Sequence, residues 1–470
     1  MNAARQMEES GMIGFEDATA PNELRPGATL SFLFICLFVV AIYARPEDVY
    51  PSIAALHLTL LLGLCAGAAF LWSLFLGEVS IIWSQELRIV LLLTAWFAAG
   101  IPFAYWRGGS FMVLTQIWLK TVLIFFLLTQ TLITLKRIRT ILWAIILSEF
   151  AVTTFSLLAP SQMTWKSCLG CEGAGDAERM VGVNHGFLYW NVLGIAIGMI
   201  VPYMAALFIA KRSALRSLLL VATIVSMFWM QVLTASRSGT IVVAFSVLLT
   251  SLFVARGSLR GKVIRTGTVL ALLATICLAP AIFWDRLSTI TDDNSAAVGT
   301  AEASADLSKN ERLTLLMRSV TYTLEHPMFG LGLGNFDVAN GNDLDTPEAW
   351  IGSHNTYTQI SSEAGVPALL LFLGLLCAVL RNMKRVIQTT MNDPQYSELN
   401  LMARASVVSL AAFVLGALFA HKGYDYYAYT APIAVAVGIQ QIAAARQIGP
   451  QTAAQNLATQ PQYFNSGWTL

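Results

Sequence analysis

Long apolar runs recur along the chain between short polar connections, at about twelve places: approximately 28–44, 52–76, 89–105, 110–133, 139–158, 186–209, 215–234, 238–254, 266–284, 356–380, 405–420 and 430–446. A bilayer core takes about 20 apolar residues per helix, and a backbone in lipid must satisfy its own hydrogen bonds. Each run therefore predicts a membrane-spanning helix, and the fold class expected is all-α and polytopic. The connections KRIR (136–139), KRSALR (211–216), ARGSLRGKVIR (255–265) and the segment from Arg381 to Arg404 fall on one side. Their basic residues assign that side to the cytoplasm. The polar tails 1–27 and 447–470 then lie in the cytoplasm, flanking a membrane domain over 28–446.

The opposite face receives ARPEDVYP (44–51), a turn at Trp106–Gly109, the loop 159–184, the tight turn SRSG (236–239), a long loop 285–354 and HKGYDYYAY (421–429). Within the long loop, Ser308-x-x-Glu311 reads as a capping box opening a helix. Leu313, Leu316, Met317, Val320 and Leu324 give that helix an apolar stripe, and His326-Pro327 ends it. Gly330, Gly332 and Gly334 then permit turns that other residues resist. The expectation is an amphipathic helix lying on the membrane surface with its apolar side down.

Composition agrees with the pattern. Of 470 residues 56% are hydrophobic and 12% charged, against roughly 25% charged in soluble domains. A net charge of +1 with no concentrated basic patch gives no case for nucleic-acid binding. The first 27 residues hold Glu8-Glu9 and Glu16-Asp17, unlike the basic start of a signal peptide. Cys36, Cys65, Cys277 and Cys377 lie in apolar runs and read as small hydrophobes, whereas Cys168 and Cys171 form a CxxC in a polar loop, suited to a local disulfide in an oxidising compartment.

Candidate chemistry gathers on the outer face. His354 follows Ser353, a plausible N-cap, at the start of the tenth span; the positive end of a helix disfavours imidazolium, so a neutral general base is expected. A histidine that only marks an interfacial helix start is the alternative. Arg237 sits in the SRSG turn at the start of the eighth span, against the dipole preference, which points to an anionic partner; a snorkelling arginine is the bland reading. Arg312 lies in the first turn of the loop helix, where it could grip a phosphate or pair with Glu311 or Asp306. Asp343-x-Asp345 has hard oxygen ligands, although acidic loop residues are usually just solvated. Lys120 and Glu149, inside spans, need partners or an aqueous cavity. Tyr424, Tyr426, Tyr427 and Tyr429 suit an interfacial aromatic belt, or less readily a sugar-stacking platform.

Three segments, taken in order, resemble the O-antigen ligase-like family, which includes O-antigen ligases, polysaccharide polymerases and protein O-oligosaccharyltransferases: LTASRSG around Arg237, ER…EHPMFGLGLGNF with Arg312, and SHNTYTQISSEAG with His354. The resemblance implies a GT-C-like bacterial inner-membrane glycosyltransferase with its active site facing the periplasm. It would take a glycan from undecaprenyl diphosphate and pass it to lipid A–core, a growing polysaccharide or a protein. Transfer would be inverting and metal-independent, with no cofactor. The matching arginines, Arg237 and Arg312, would hold the diphosphate; His354 would activate the acceptor hydroxyl; Asn355 and Glu363 would orient or support. A repeat-unit polymerase is one rival reading, and a transporter or flippase another. Transporters more often place polar residues at the bilayer midplane in two related halves.

Overall fold

Each apolar run becomes a helix in the computed structural model, which describes residues 26–158, 164–166, 178–180, 190–210, 213–280, 283–284, 287, 301–345 and 350–445. The helices are α1 (Pro26–Ala44), α2 (Leu58–Phe75), α3 (Gln85–Gly100), α4 (Arg107–Thr131), α5 (Leu135–Leu158), α6 (Trp190–Ala210), α7 (Ala214–Leu233), α8 (Arg237–Val254) and α9 (Leu259–Leu278). They continue with α10 (Ala301–Glu325), α11 (Phe336–Leu344), α12 (Thr356–Thr390), α13 (Ser397–Gly416) and α14 (Tyr426–Ala445). Among the described residues, ten helices are long and apolar enough to cross a membrane, making this a multi-pass, all-α membrane protein. The two other expected spans are also helices: α1, whose apolar part Thr29–Ala44 is short, and α9, whose first turns carry Arg260, Lys262 and Arg265.

The CxxC lies outside the described residues, as do most of the polar tails. The loop around it does contribute a minor departure from pure helix, a two-stranded antiparallel ribbon in which Thr164–Lys166 pairs with Glu178–Met180.

One end of the bundle is laced by charge. Arg139 on α5 makes a two-pronged ion pair with Glu398 at the start of α13, at 2.6 and 2.5 Å. Arg381 and Asn382 on α12 bond Gln85 and Glu86 at the start of α3, at 2.7 and 2.6 Å. Arg139, Arg381, Asn382 and Glu398 belong to the basic connections that fall together on one side. The interior is ordinary apolar packing threaded by a few hydrogen bonds: Tyr203 on α6 donates to Ser406 on α13 and to the carbonyl of Ala431 on α14, both at 3.0 Å. In a dry interior such bonds fix helix register, because an unmade one leaves a polar group stranded.

Three expectations are corrected. The helix α10 begins at Ala301, so Ser308 lies inside it and is not a cap, and Arg312 is mid-helix with no dipole penalty. The buried side of α10 is Leu315, Ser319 and Tyr322, joined by Leu331, Phe336 and Ala339 in a small core of their own. The apolar stripe lies on the uncovered side of the helix, with Met317 60% and Leu324 75% exposed. Finally, Tyr424, Tyr427 and Tyr429 form no belt. They are buried beside Tyr43, Phe97, Trp118 and Phe125, where edge-to-face ring contacts hold α1, α3 and α4 against the start of α14. Apolar and aromatic character alone does not distinguish a lipid-facing residue from a core one.

Candidate active site

The end of the bundle opposite the Arg139–Glu398 pair holds the candidate residues. Arg237 is the first residue of α8. The preceding Ala235 takes a left-handed conformation (φ 46°), and the Ser236 hydroxyl caps the helix by accepting from the Gly239 N–H at 3.2 Å. This helix end is packed backbone to backbone. A Cβ on Gly194 of α6 would stand 2.2 Å from the Gly239 Cα, so only glycine allows the approach that fixes the Arg237 turn. The Gln231 amide covers the other side of Gly239.

Arg312 reaches the site from α10, which is docked on α12 by a 2.9 Å hydroxyl pair between Thr323 and Ser361. A second attachment is more unusual. At Gly365 (φ 84°, ψ 171°), followed by Pro367, α12 breaks its own hydrogen-bond ladder. The freed carbonyls find partners outside the helix: Ser362 accepts from the Leu331 N–H at 2.8 Å, Glu363 from Gly332 at 2.9 Å, and Ala364 from the Trp96 indole at 3.0 Å. In return the Val366 N–H donates to the Pro327 carbonyl at 2.8 Å. The glycine-rich segment after α10 is thus stitched into the kink of α12. A Cβ on Gly330 would meet the backbone at Glu363 and Ala364 at 2.4 and 2.6 Å, and one on Gly365 would meet the Met328 carbonyl oxygen at 2.0 Å. Glu363, 5% exposed, completes the stitch by accepting the Gly334 N–H at 2.8 Å.

His354 lies just before α12 in a left-handed conformation (φ 52°). For a residue with a Cβ this costs about 1–2 kcal/mol, and such strain clusters at functional positions. Ser353 is not the cap, which corrects the expectation. Asn355 is: its side-chain oxygen accepts from the Tyr357 and Thr358 N–H groups at 2.9 and 3.1 Å. Ser353 donates instead to the Asn355 carbonyl at 3.1 Å.

Arg237 on α8, Arg312 on α10 and His354 before α12 lie close enough to feel one another's charge in turn. Arg312 feels the charge of Arg237, and His354 feels the charge of Arg312. Burial first, and Arg237 second, lower the Arg312 pKa, while Glu311 raises it. His354 is pushed down to about 3, first by burial, then by His421 and Arg312. It is therefore neutral at physiological pH, as a base must be, with burial the first cause.

His421 was missed by sequence reasoning. It belongs to the loop between α13 and α14, and its ring meets that of His354 edge to face, with centroids 5.4 Å apart. A lone histidine in a tyrosine-rich loop gives no local signal. Its membership of the same outer-face group was the usable clue. Other candidates fall away from the site. Asp343 accepts from the Tyr322 hydroxyl at 2.5 Å and from Arg318 at 3.3 Å, Lys120 is exposed on the outside of α4, and Glu149 is buried in α5.

A family model described as O-Antigen ligase matches residues 222–373. The match supports an O-antigen ligase-like family, and with it a membrane glycosyltransferase of the ligase/polymerase type. The matched segment carries Arg237, Arg312, His354, Asn355 and Glu363; His421 lies beyond it. No curated protein matches the chain.

Proposed function

We propose that the protein transfers a glycan from a polyprenyl diphosphate, undecaprenyl diphosphate, to an acceptor hydroxyl at the periplasmic face of the bacterial inner membrane. The observation that carries the reading is that Arg312 is electrostatically coupled to both Arg237 and His354, residues on three different elements. Two arginines side by side suit an anion bound between them. A diphosphate supplies that charge, and planar guanidinium groups grip it in a bidentate fashion. Neutral His354 removes the acceptor proton while the arginines stabilise the negative charge growing on the departing diphosphate. Attack from the face opposite the leaving group inverts the anomeric centre. Lipid A–core, a growing polysaccharide and protein all offer a suitable hydroxyl.

The test is reconstitution in proteoliposomes with a labelled undecaprenyl-diphosphate glycan and a candidate acceptor. Expected is release of undecaprenyl diphosphate with one new glycosidic bond per diphosphate. A single block on lipid A–core or protein indicates a ligase, and a lengthening chain a polymerase. Movement of the intact donor or of a solute without a new bond would refute the reading in favour of a transporter.

A further inference from the structure

His421 is built into the site with care and has no assigned task. Its loop is clamped to the start of α12: the Thr356 N–H donates to the Ala417 carbonyl at 2.7 Å, the Thr356 hydroxyl donates to the Ala420 carbonyl at 2.6 Å and accepts from the Lys422 N–H at 3.0 Å, and the Gly423 N–H donates to Gln359 Oε1 at 3.1 Å. Both neighbours of His421 are thereby fixed. Room for the ring comes from Gly352, where a Cβ would lie 2.9 Å from His421 Nε2 and Cε1. The His421 Nδ1 is buried with no hydrogen-bond partner among the described residues, and a stranded polar nitrogen of this kind costs roughly 1–3 kcal/mol. Structural histidines are ordinarily hydrogen-bonded. This one is rigidly held, unsatisfied, and edge-on to the candidate base.

We propose that His421 is a positioning residue that takes the proton from His354 after His354 has removed it from the acceptor. This rests on the proposed function. In the first step the acceptor O–H bond breaks and its proton goes to a His354 ring nitrogen. The oxygen forms a bond to the anomeric carbon, and the carbon–oxygen bond to the diphosphate breaks with its electron pair leaving on the phosphate. In the second step the N–H bond on His354 breaks and one forms on His421, which later releases the proton to solvent.

Charge favours this direction. The groups facing the pair are Arg312 beside His354, with Arg237 beside Arg312, and Lys422 and Asp425 beside His421. Imidazolium at His354 faces a cation at Arg312. At His421, Lys422 is bonded to Asp425 at 2.7 Å, and Asp425 favours the charged ring. Burial and Lys422 lower His421 to about 4, and burial, His421 and Arg312 lower His354 to about 3. Two rings in contact near Arg312 hold at most one added proton between them, because a second would add a like charge.

The experiment compares His421→Gln, His421→Ala and His354→Ala in the reconstituted transfer assay, with protein level and thermal stability followed in parallel. Gln keeps the size and polarity of the ring but accepts no proton. Expected for His421→Gln is a kcat about a hundredfold lower, the low end of what one assisted proton transfer contributes, with the donor KM within about twofold. Added imidazole should restore kcat in His421→Ala, which a purely packing role would not allow; if His421→Ala fails to accumulate, the kcat of His421→Gln alone decides. Wild-type kcat in His421→Gln, beside an inactive His354→Ala, overturns the relay and leaves the proposed function standing. Full activity in His354→Ala overturns the base itself.

Discussion

The two sides of the site are built differently. The histidine side is pinned: His354 precedes a helix capped by Asn355, and the His421 loop is tied to that helix by hydrogen bonds of 2.6–3.1 Å through Thr356 and Gln359. The arginine side is held by close glycine packing: Gly239 meets Gly194 beside Arg237, and the glycine-rich segment after α10 is set into the kink of α12. Arg237 is the first residue of one helix, and Arg312 projects from α10, whose far face is exposed and whose docking depends on the glycine stitch. The contrast fits two tasks. A base must be held within a fraction of an ångström of the proton it takes, whereas arginines on two separate elements can grip a diphosphate from two sides.

The sharpest break of this comparison is at the base. His354→Ala should lower glycan transfer by about 10²–10⁴-fold, the usual contribution of general base catalysis, with protein level unchanged. On the other side, Arg237→Lys and Arg312→Lys keep the charge but lose the fork. Each should cost about tenfold to a hundredfold in kcat/KM, from the roughly 1.5–3 kcal/mol of a charged hydrogen bond, and titration of the donor should show this mainly in KM. An unchanged KM would mean that the arginines do not hold the donor.

The hinge between the sides is Gly365. Its backbone lies in a region open essentially to glycine, so Gly365→Ala costs roughly 1–3 kcal/mol from conformation alone, with the clash at the Met328 oxygen in addition. A lower melting temperature and loss of transfer are expected together. A thermal stability equal to wild type would show that the stitch does not support α12.

Acidity sharpens the comparison further. Because His354 is lowered to about 3, kcat/KM should stay level through pH 6.5, the ordinary histidine value, and fall only at much lower pH. Stability should behave otherwise. The unfolded chain takes up protons at both histidines below about pH 6.5 while the folded chain does not, so stability is complete above that value and is lost as pH falls toward about 4 and 3. His421→Gln should flatten that acid loss in melting curves. The smallest effect is expected at Arg318, whose exposed pair with Asp343 is worth about 0–1 kcal/mol; Arg318→Ala should leave transfer intact.

Periodicity made most of the bundle readable before the structure, because a lipid-spanning helix leaves a long unbroken signature. Arg237 was readable too, since SRSG between two apolar runs leaves room only for a helix start. The end of α10 at His326-Pro327 followed from proline sterics. What escaped depends on contacts distant in sequence. The N-cap went to Asn355 rather than Ser353 because the chain turns through a left-handed His354, and α11 lay hidden in a polar stretch whose Phe336 packs on Tyr322. The start of α10 was placed too late because a capping-box pattern also occurs inside helices. The purpose of the three glycines became visible only with the break at Gly365, and His421 only with the loop folded against α12.

The most direct test of the central claim separates holding the donor from reacting with it. In nanodiscs, the affinity for a labelled undecaprenyl-diphosphate glycan and its single-turnover transfer would be measured for wild type, His354→Ala, Arg237→Ala and Arg312→Ala. One site with divided labour predicts wild-type affinity without transfer for His354→Ala, and weakened affinity for each arginine variant. Wild-type affinity in both arginine variants, or full transfer by His354→Ala, would contradict it.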